Sequence, residues 1–260
     1  MTICQRPTCM TWMISRLSLK PGRIRRCIVA CCVFTLAVTF AVAQQPETPT
    51  KSDTEIIQGI DAAVQKRLDA IARYTVQEQY NIYRNGETNP SAQETIQTTY
   101  VRSVGKDYHP VAQSGSSLLR STVLDRVLAG EKEINLPANR EAALITSRNY
   151  EFIPQRGIVQ RSGKTCILVD LHPNRKSTHL FAGKLWIDAT DYSIVHIEGT
   201  PSASPSFFAG KTTVSRDYAK VNGYAMATHA EARSHSSLLG DTLLTIDYTS
   251  YNIDTSNTTK

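Results

Sequence analysis

His229, Glu231, Arg233 and His235 fall at alternate positions, so on a β-strand they would share one face. Histidine beside a carboxylate is a common general-base arrangement. The opposite face of that strand would carry Thr228, Ala230, Ala232 and Ser234. A polar row backed by small residues describes the outside of a sheet over a narrow interior, and that reading suits the residues better. His172 and His179 bracket Asn174 and Arg175, but no third ligand stands at a zinc-site spacing. They read as solvated turn histidines. Asp188 and Asp191 flank a tight turn, where aspartates are ordinary. Cys166, the one cysteine after residue 43, lies in the apolar run Cys166-Ile-Leu-Val169 and reads as a buried thiol, not a nucleophile. No G-x-S-x-G, H-E-x-x-H, Walker A or G-x-G-x-x-G motif occurs. The sequence therefore predicts no enzyme, no cofactor and no metal.

Residues 1–43 read as an export leader. Arg23, Arg25 and Arg26 precede an uncharged, mainly apolar run from Cys27 to Ala43, which ends in Ala41-Val-Ala43 ahead of Gln44. A retained membrane anchor is the alternative, but the run is shorter than the ~20 residues a spanning helix needs. Ile28-Val-Ala-Cys31 resembles a lipobox without an apolar region before it. The chain has 29 Lys and Arg against 23 Asp and Glu, and six of the bases and none of the acids fall in the leader. The remainder is balanced, so no basic surface for nucleic acid is expected. A periplasmic or secreted protein is.

Residues 44–51 form a polar, proline-bearing linker, and 52–260 a single domain. Ser52-Asp-Thr-Glu55 is a capping box. Ile56, Ile57, Ile60, Val64, Leu68 and Ile71 follow at helical spacing, predicting an amphipathic helix to about Tyr74. Period-two alternation then predicts a strand from Tyr74 to Ile82, an Asn85-Gly86 hairpin and a second strand from Ala92 to Val104. Residues 117–146 read as a helical insert, ended or interrupted at Gly130, with Asn139 capping a second short helix. Strands are expected over roughly 150–160, 164–171, 182–188, 192–199, 207–217, 224–236 and 242–252, an antiparallel meander.

This order of elements resembles the LolA/LolB-like superfamily of periplasmic lipoprotein carriers and their RseB-type relatives. Gly163-Lys-Thr-Cys-Ile-Leu-Val-Asp-Leu-His-Pro173 is similar to the family's glycine-led strand ending near a proline. Gly183-Lys-Leu-Trp-Ile-Asp188 followed by Asp191-Tyr-Ser-Ile-Val-His-Ile-Glu198 is similar to its strand–turn–strand, and Asp241–Tyr248 fits a last edge strand. The resemblance implies an α+β fold: a curved antiparallel sheet, or half-open β-barrel, with an N-terminal helix and a helical insert as lid. It implies a non-catalytic carrier or sensor of a lipid or lipidated protein, monomeric, with membrane-associated donor or acceptor proteins as partners. An extracytoplasmic protein-interaction module with a filled barrel is the alternative. Acyl chains would lie in an apolar cavity of several hundred Å3, the usual size of a small-ligand site. Its walls are expected from Ile60, Val64, Ile167, Val169, Leu185, Ile187, Phe207, Phe208, Leu244 and Ile246. Alternation forbids Trp186 and Ile187 from both pointing inward.

Overall fold

Ser52 takes an extended conformation and its Oγ accepts from the Glu55 N–H at 3.2 Å, capping helix α1 (Asp53–Ala70). In this computed structural model the described residues are 51–203, 212–236 and 240–255. The leader, the linker up to residue 50, and Phe207 and Phe208 lie outside them. No helix among the described residues is long and apolar enough to cross a membrane.

α1 buries Ile56, Ile60 and Val64, as its spacing predicts, but ends a turn early. The Ile71 N–H closes the last turn on the Arg67 carbonyl, and Ile71 opens strand β1 (Ile71–Arg84). The cause is local: Ile71, Tyr74, Thr75 and Val76 are weak helix formers and good strand formers. Asn85 and Gly86 take the left-handed conformations of a tight turn (φ 49° and 78°). Yet β1 and strand β2 (Ala92–Val101) rejoin only at Ile82 opposite Ala92, so that turn sits inside a longer connection.

Strand β3 (Gly105–Gly115) is absent from the sequence reading. Its residues are mostly exposed and it contains Pro110, which an edge strand tolerates; β3 bulges at Val111 beside that proline, with Thr95 of β2 opposite Ala112 and Ile96 opposite Pro110. The insert then runs as α2 (Ser117–Leu119), a π-helical turn (Arg120–Leu124) and α3 (Asp125–Asn135), passing through Gly130 instead of breaking there. A short α4 (Pro137–Arg140) starts on its proline, not on Asn139.

The meander follows as β4 (Tyr150–Pro154), β5 (Val159–Arg161), β6 (Lys164–Pro173), β7 (Phe181–Asp188), β8 (Ile194–Pro201), β9 (Thr212–Val221), β10 (Tyr224–Ser236) and β11 (Gly240–Thr255). All pairings are antiparallel, in the order β3-β2-β1-β11-β10-β9-β8-β7-β6-β4, with β5 also on β6. β11 is therefore not an edge strand: it sits between β1 and β10, and the edges are β3 and β4. Alternation within β11 is the same whether it has one neighbour or two, so the sequence pattern could not place it.

The sheet is strongly curved. Lys106 on β3 and Arg216 on β9 are five strand spacings apart, about 24 Å on a flat sheet. Both nevertheless reach the same Glu131 carboxylate on α3, at 3.0 and 3.2 Å. The result is the curved antiparallel α+β half-barrel expected, with α1 and the insert on its concave side.

α1 is seated by one close approach. The Tyr192 ring, on a residue with φ 59°, lies where a side chain on Gly59 would go; a Cβ there would stand 2.4 to 2.7 Å from three ring carbons. The Tyr192 hydroxyl also donates to Glu55 at 2.6 Å. Gly59→Ala should therefore destabilise the protein in spite of alanine's helix propensity. In a Tyr192→Ala background the same change should stabilise by up to about 1 kcal/mol. A thermal double-mutant cycle reads this directly, and an equal Gly59→Ala effect in both backgrounds would show that the ring does not seat the helix.

Candidate ligand cavity

The concave side is part filled and part hollow. Under α1 the half built from β4, β6, β7 and β8 is packed solid: Ile56, Ile60, Tyr150, Phe152, Ile167, Val169, Leu171, Leu185, Ile187 and Ile197 form one buried cluster. A second cluster lies under the first half of the insert, where Leu119, Val123 and Leu124 meet Tyr80, Ile82, Ile96 and Leu244. Between them lies a cavity of about 860 Å3, within the range of small-ligand sites.

Val64, Leu244 and Ile246, expected as cavity residues, do line it. Ile60, Ile167, Val169, Leu185 and Ile187 do not: they point to the concave side but belong to the filled half, because Ile56 and Ile60 of α1 occupy the space they face. Phe207 and Phe208 lie outside the described residues. The sequence reading missed the wall that β1, β9 and β10 supply, with Tyr74, Met226, Ala230 and Ala232, and the share taken by Leu68 and Ile134 on the helices. The signal was present in the small residues of β10. Ala230 and Ala232 face Leu244 and Ile246 across the register and fill little of the space before them.

The cavity also has a charged wall. Glu131 bridges Lys106 and Arg216, tying α3 to β3 and β9. Burial alone would raise the Glu131 carboxyl, but Lys106 and then Arg216 outweigh it and hold it at about 2. Burial likewise opposes the Lys106 charge, and Glu131 reverses that, raising its pKa well above the ordinary lysine value. Close by, Glu78 is 1 % exposed. Its Oε2 accepts from the Tyr80 hydroxyl, while its Oε1 is buried without a partner.

Of the residues singled out for chemistry, His179, Asp191 and Glu231 border the cavity, and the others lie elsewhere. His229 is on the convex face, bonded through Nδ1 to Asp247 on β11 at 2.7 Å, and His235 pairs with Asp241 in the same way. His196, which the sequence did not flag, bonds Asp217 at 2.6 Å and meets the Trp186 ring edge-on, with Arg161 over the indole. These are cross-strand pairs on a polar outer face, the arrangement read from the alternation of β10. Trp186 is in this row and Ile187 points inward. Asp188 accepts from the Thr190 N–H and Asp191 from Ser193, so both hold the β7–β8 turn. His172 is exposed and His179 lies at the cavity wall. Cys166 is fully buried, and burial pushes its thiol up. Among the described residues no cluster of three or more His, Cys, Asp or Glu could hold a metal ion.

No protein-family model matches the chain, and no curated protein matches it. Solved structures do. The chain is similar to a LolA superfamily protein from Nitrosomonas europaea, at 10 % identity and a TM-score of 0.43 over 79 % of this chain and 94 % of that one. It is similar to a candidate outer membrane lipoprotein-sorting protein domain from Vibrio parahaemolyticus, at 13 % identity and 0.44 over 76 % and 92 %. A DUF1329 family protein from Desulfovibrio piger matches at 11 % identity and 0.40 over 76 % and 93 %.

Proposed function

We propose that this chain is an exported, non-catalytic carrier or sensor that holds the acyl chain of a lipid or lipidated protein in the hollow half of its barrel. The observation that carries the reading is the cavity of about 860 Å3 between the sheet and two helical covers. A filled barrel would have favoured a protein-interaction module instead. Apolar side chains from α1, α3 and the central strands supply a surface on which an acyl chain is stabilised by leaving water, about 0.8 kcal/mol per buried methylene. The insert acts as the cover, because α3 lines the cavity and is fastened through Glu131 to the edge strand β3 and the central strand β9. Entry then requires α3 to lift.

The test uses the Lys106→Cys/Glu131→Cys variant and the methyl ester of a pyrene-labelled fatty acid. Uptake of the ester should proceed before treatment and be blocked once a short bis-maleimide joins the two cysteines, with the melting temperature kept or raised. Equal uptake by the joined and free forms would remove the insert from the entry route. Failure of the unmodified protein to bind the ester at all would leave the protein-interaction module in its place.

A further inference from the structure

Glu78 presents a chemical problem that the acyl-chain reading does not use. A buried carboxyl oxygen left without a hydrogen-bond donor is destabilising, and such groups in native proteins call for a specific explanation. Glu78 Oε1 is in this state on the cavity wall, and the side chain cannot turn away, because Tyr80 holds its other oxygen. Nor do the two nearby cations relieve it. Lys106 and Arg216 each direct a donor to Glu131. Both line the same cavity, as does Tyr248, whose hydroxyl is raised by burial and by the surrounding carboxyls in spite of Arg216. A lysine ammonium has three N–H donors and an arginine five, so each cation keeps donors beyond the one spent on Glu131.

This wall therefore offers an acceptor without a donor beside donors with capacity to spare. Charged residues of both signs, Arg67, Arg126 and Glu133 among them, also border the cavity; those gathered beside Glu78 are two carboxyls, Glu78 and Glu131, and two cations, Lys106 and Arg216. An entering anion would find the cations already matched and would leave Glu78 Oε1 unsatisfied. A hydroxyl adds no charge, donates one hydrogen bond and accepts another.

Resting on the carrier reading, we infer that the buried end of the ligand carries an uncharged hydroxyl that donates to Glu78 Oε1 and accepts from Lys106, Arg216 or Tyr248. The ligand class is a neutral, hydroxyl-bearing acyl lipid such as a monoacylglycerol, in preference to a free fatty acid or a simple ester. The acyl chain lies along Leu244, Ile246 and the small residues of β10, and Glu78 selects the head.

The experiment is displacement of the bound pyrene-labelled methyl ester by monooleoylglycerol, oleate and methyl oleate, three ligands with one chain and different heads. Monooleoylglycerol should displace it at about tenfold lower concentration than either of the others, the factor expected for one net hydrogen bond to a buried group. Glu78→Leu should abolish that preference. Glu78→Gln, nearly the same in shape, should reduce it if the leucine variant fails to fold. Displacement by oleate or methyl oleate at equal or lower concentration overturns the inference, and so does a preference that survives at Glu78→Leu and Glu78→Gln. Both results leave the cavity as an acyl-chain site. Failure of the ester to bind the wild-type protein overturns the carrier reading, and this inference with it.

Discussion

Ile60→Asp should abolish cooperative folding, or lower the melting temperature by at least about 10 °C. Ile60 is fully buried at the centre of the cluster that fills the α1 half of the barrel, among Ile56, Ile167, Val169, Leu185 and Ile187. A carboxylate there has no cationic partner within the cluster, which is apolar throughout. Burying a charge or an unsatisfied polar group costs several kcal/mol, and a domain of this size loses about 2–4 °C per kcal/mol. The conservative change Ile60→Val should cost only about 1 kcal/mol. Thermal unfolding followed by circular dichroism separates these outcomes. An aspartate variant that melts with the wild type would show that α1 is not docked on the sheet.

The second large effect is at the ionic fastening of the insert. Glu131 titrates at about 2 in place of its ordinary 4.5, because Lys106 and Arg216 overcome the cost of its burial. A carboxyl depressed on folding contributes stability above its unfolded value, and that contribution is lost as pH falls from about 4.5 to about 2. The shift corresponds to about 3 kcal/mol, an upper figure for a side chain that is one-fifth exposed. Glu131→Gln should therefore lower the melting temperature by about 5–10 °C at neutral pH. The gap from wild type should narrow through that acid window and close near pH 2. With the fastening gone, release of a bound acyl probe should accelerate about tenfold or more. A gap that stays constant from pH 7 to pH 2 would show that the carboxylate charge is not what fastens α3.

Much of the fold was legible because the physical signals were local. Ser52 and Glu55 announced a helix start, and the spacing of Ile56, Ile60 and Val64 its buried face. Ser162-Gly163 and Asn222-Gly223 fall in gaps between expected strands and close hairpins, with Arg161 opposite Lys164 and Val221 opposite Tyr224. What stayed hidden depends on distant partners. β3 partly buries only Lys106 and Tyr108 on its inner face, a lysine and one aromatic, so it left little apolar alternation to find. β11 carries an unambiguous strand pattern, but its place beside β1 is decided by a partner some 160 residues away in sequence. The candidate cavity divides in the same way. Alternation identified which residues face inward, including Ile167 and Leu185, but not that α1 would fill the space before them. The hollow half is defined by what is missing, the side-chain volume at Ala230 and Ala232, and by a triad whose members come from β3, α3 and β9.

Native mass spectrometry of freshly purified wild-type protein and of Ala230→Phe, each titrated with monooleoylglycerol, tests the central claim most directly. Ala230 lines the cavity, so a phenylalanine there should occupy the space a ligand needs while the protein stays folded. The wild type should carry, or take up, one acyl-lipid adduct, and Ala230→Phe should remain bare at an unchanged melting temperature. A wild-type protein that stays at its bare mass throughout the titration, or an equal adduct on both forms, would contradict a ligand-holding cavity in this half of the barrel.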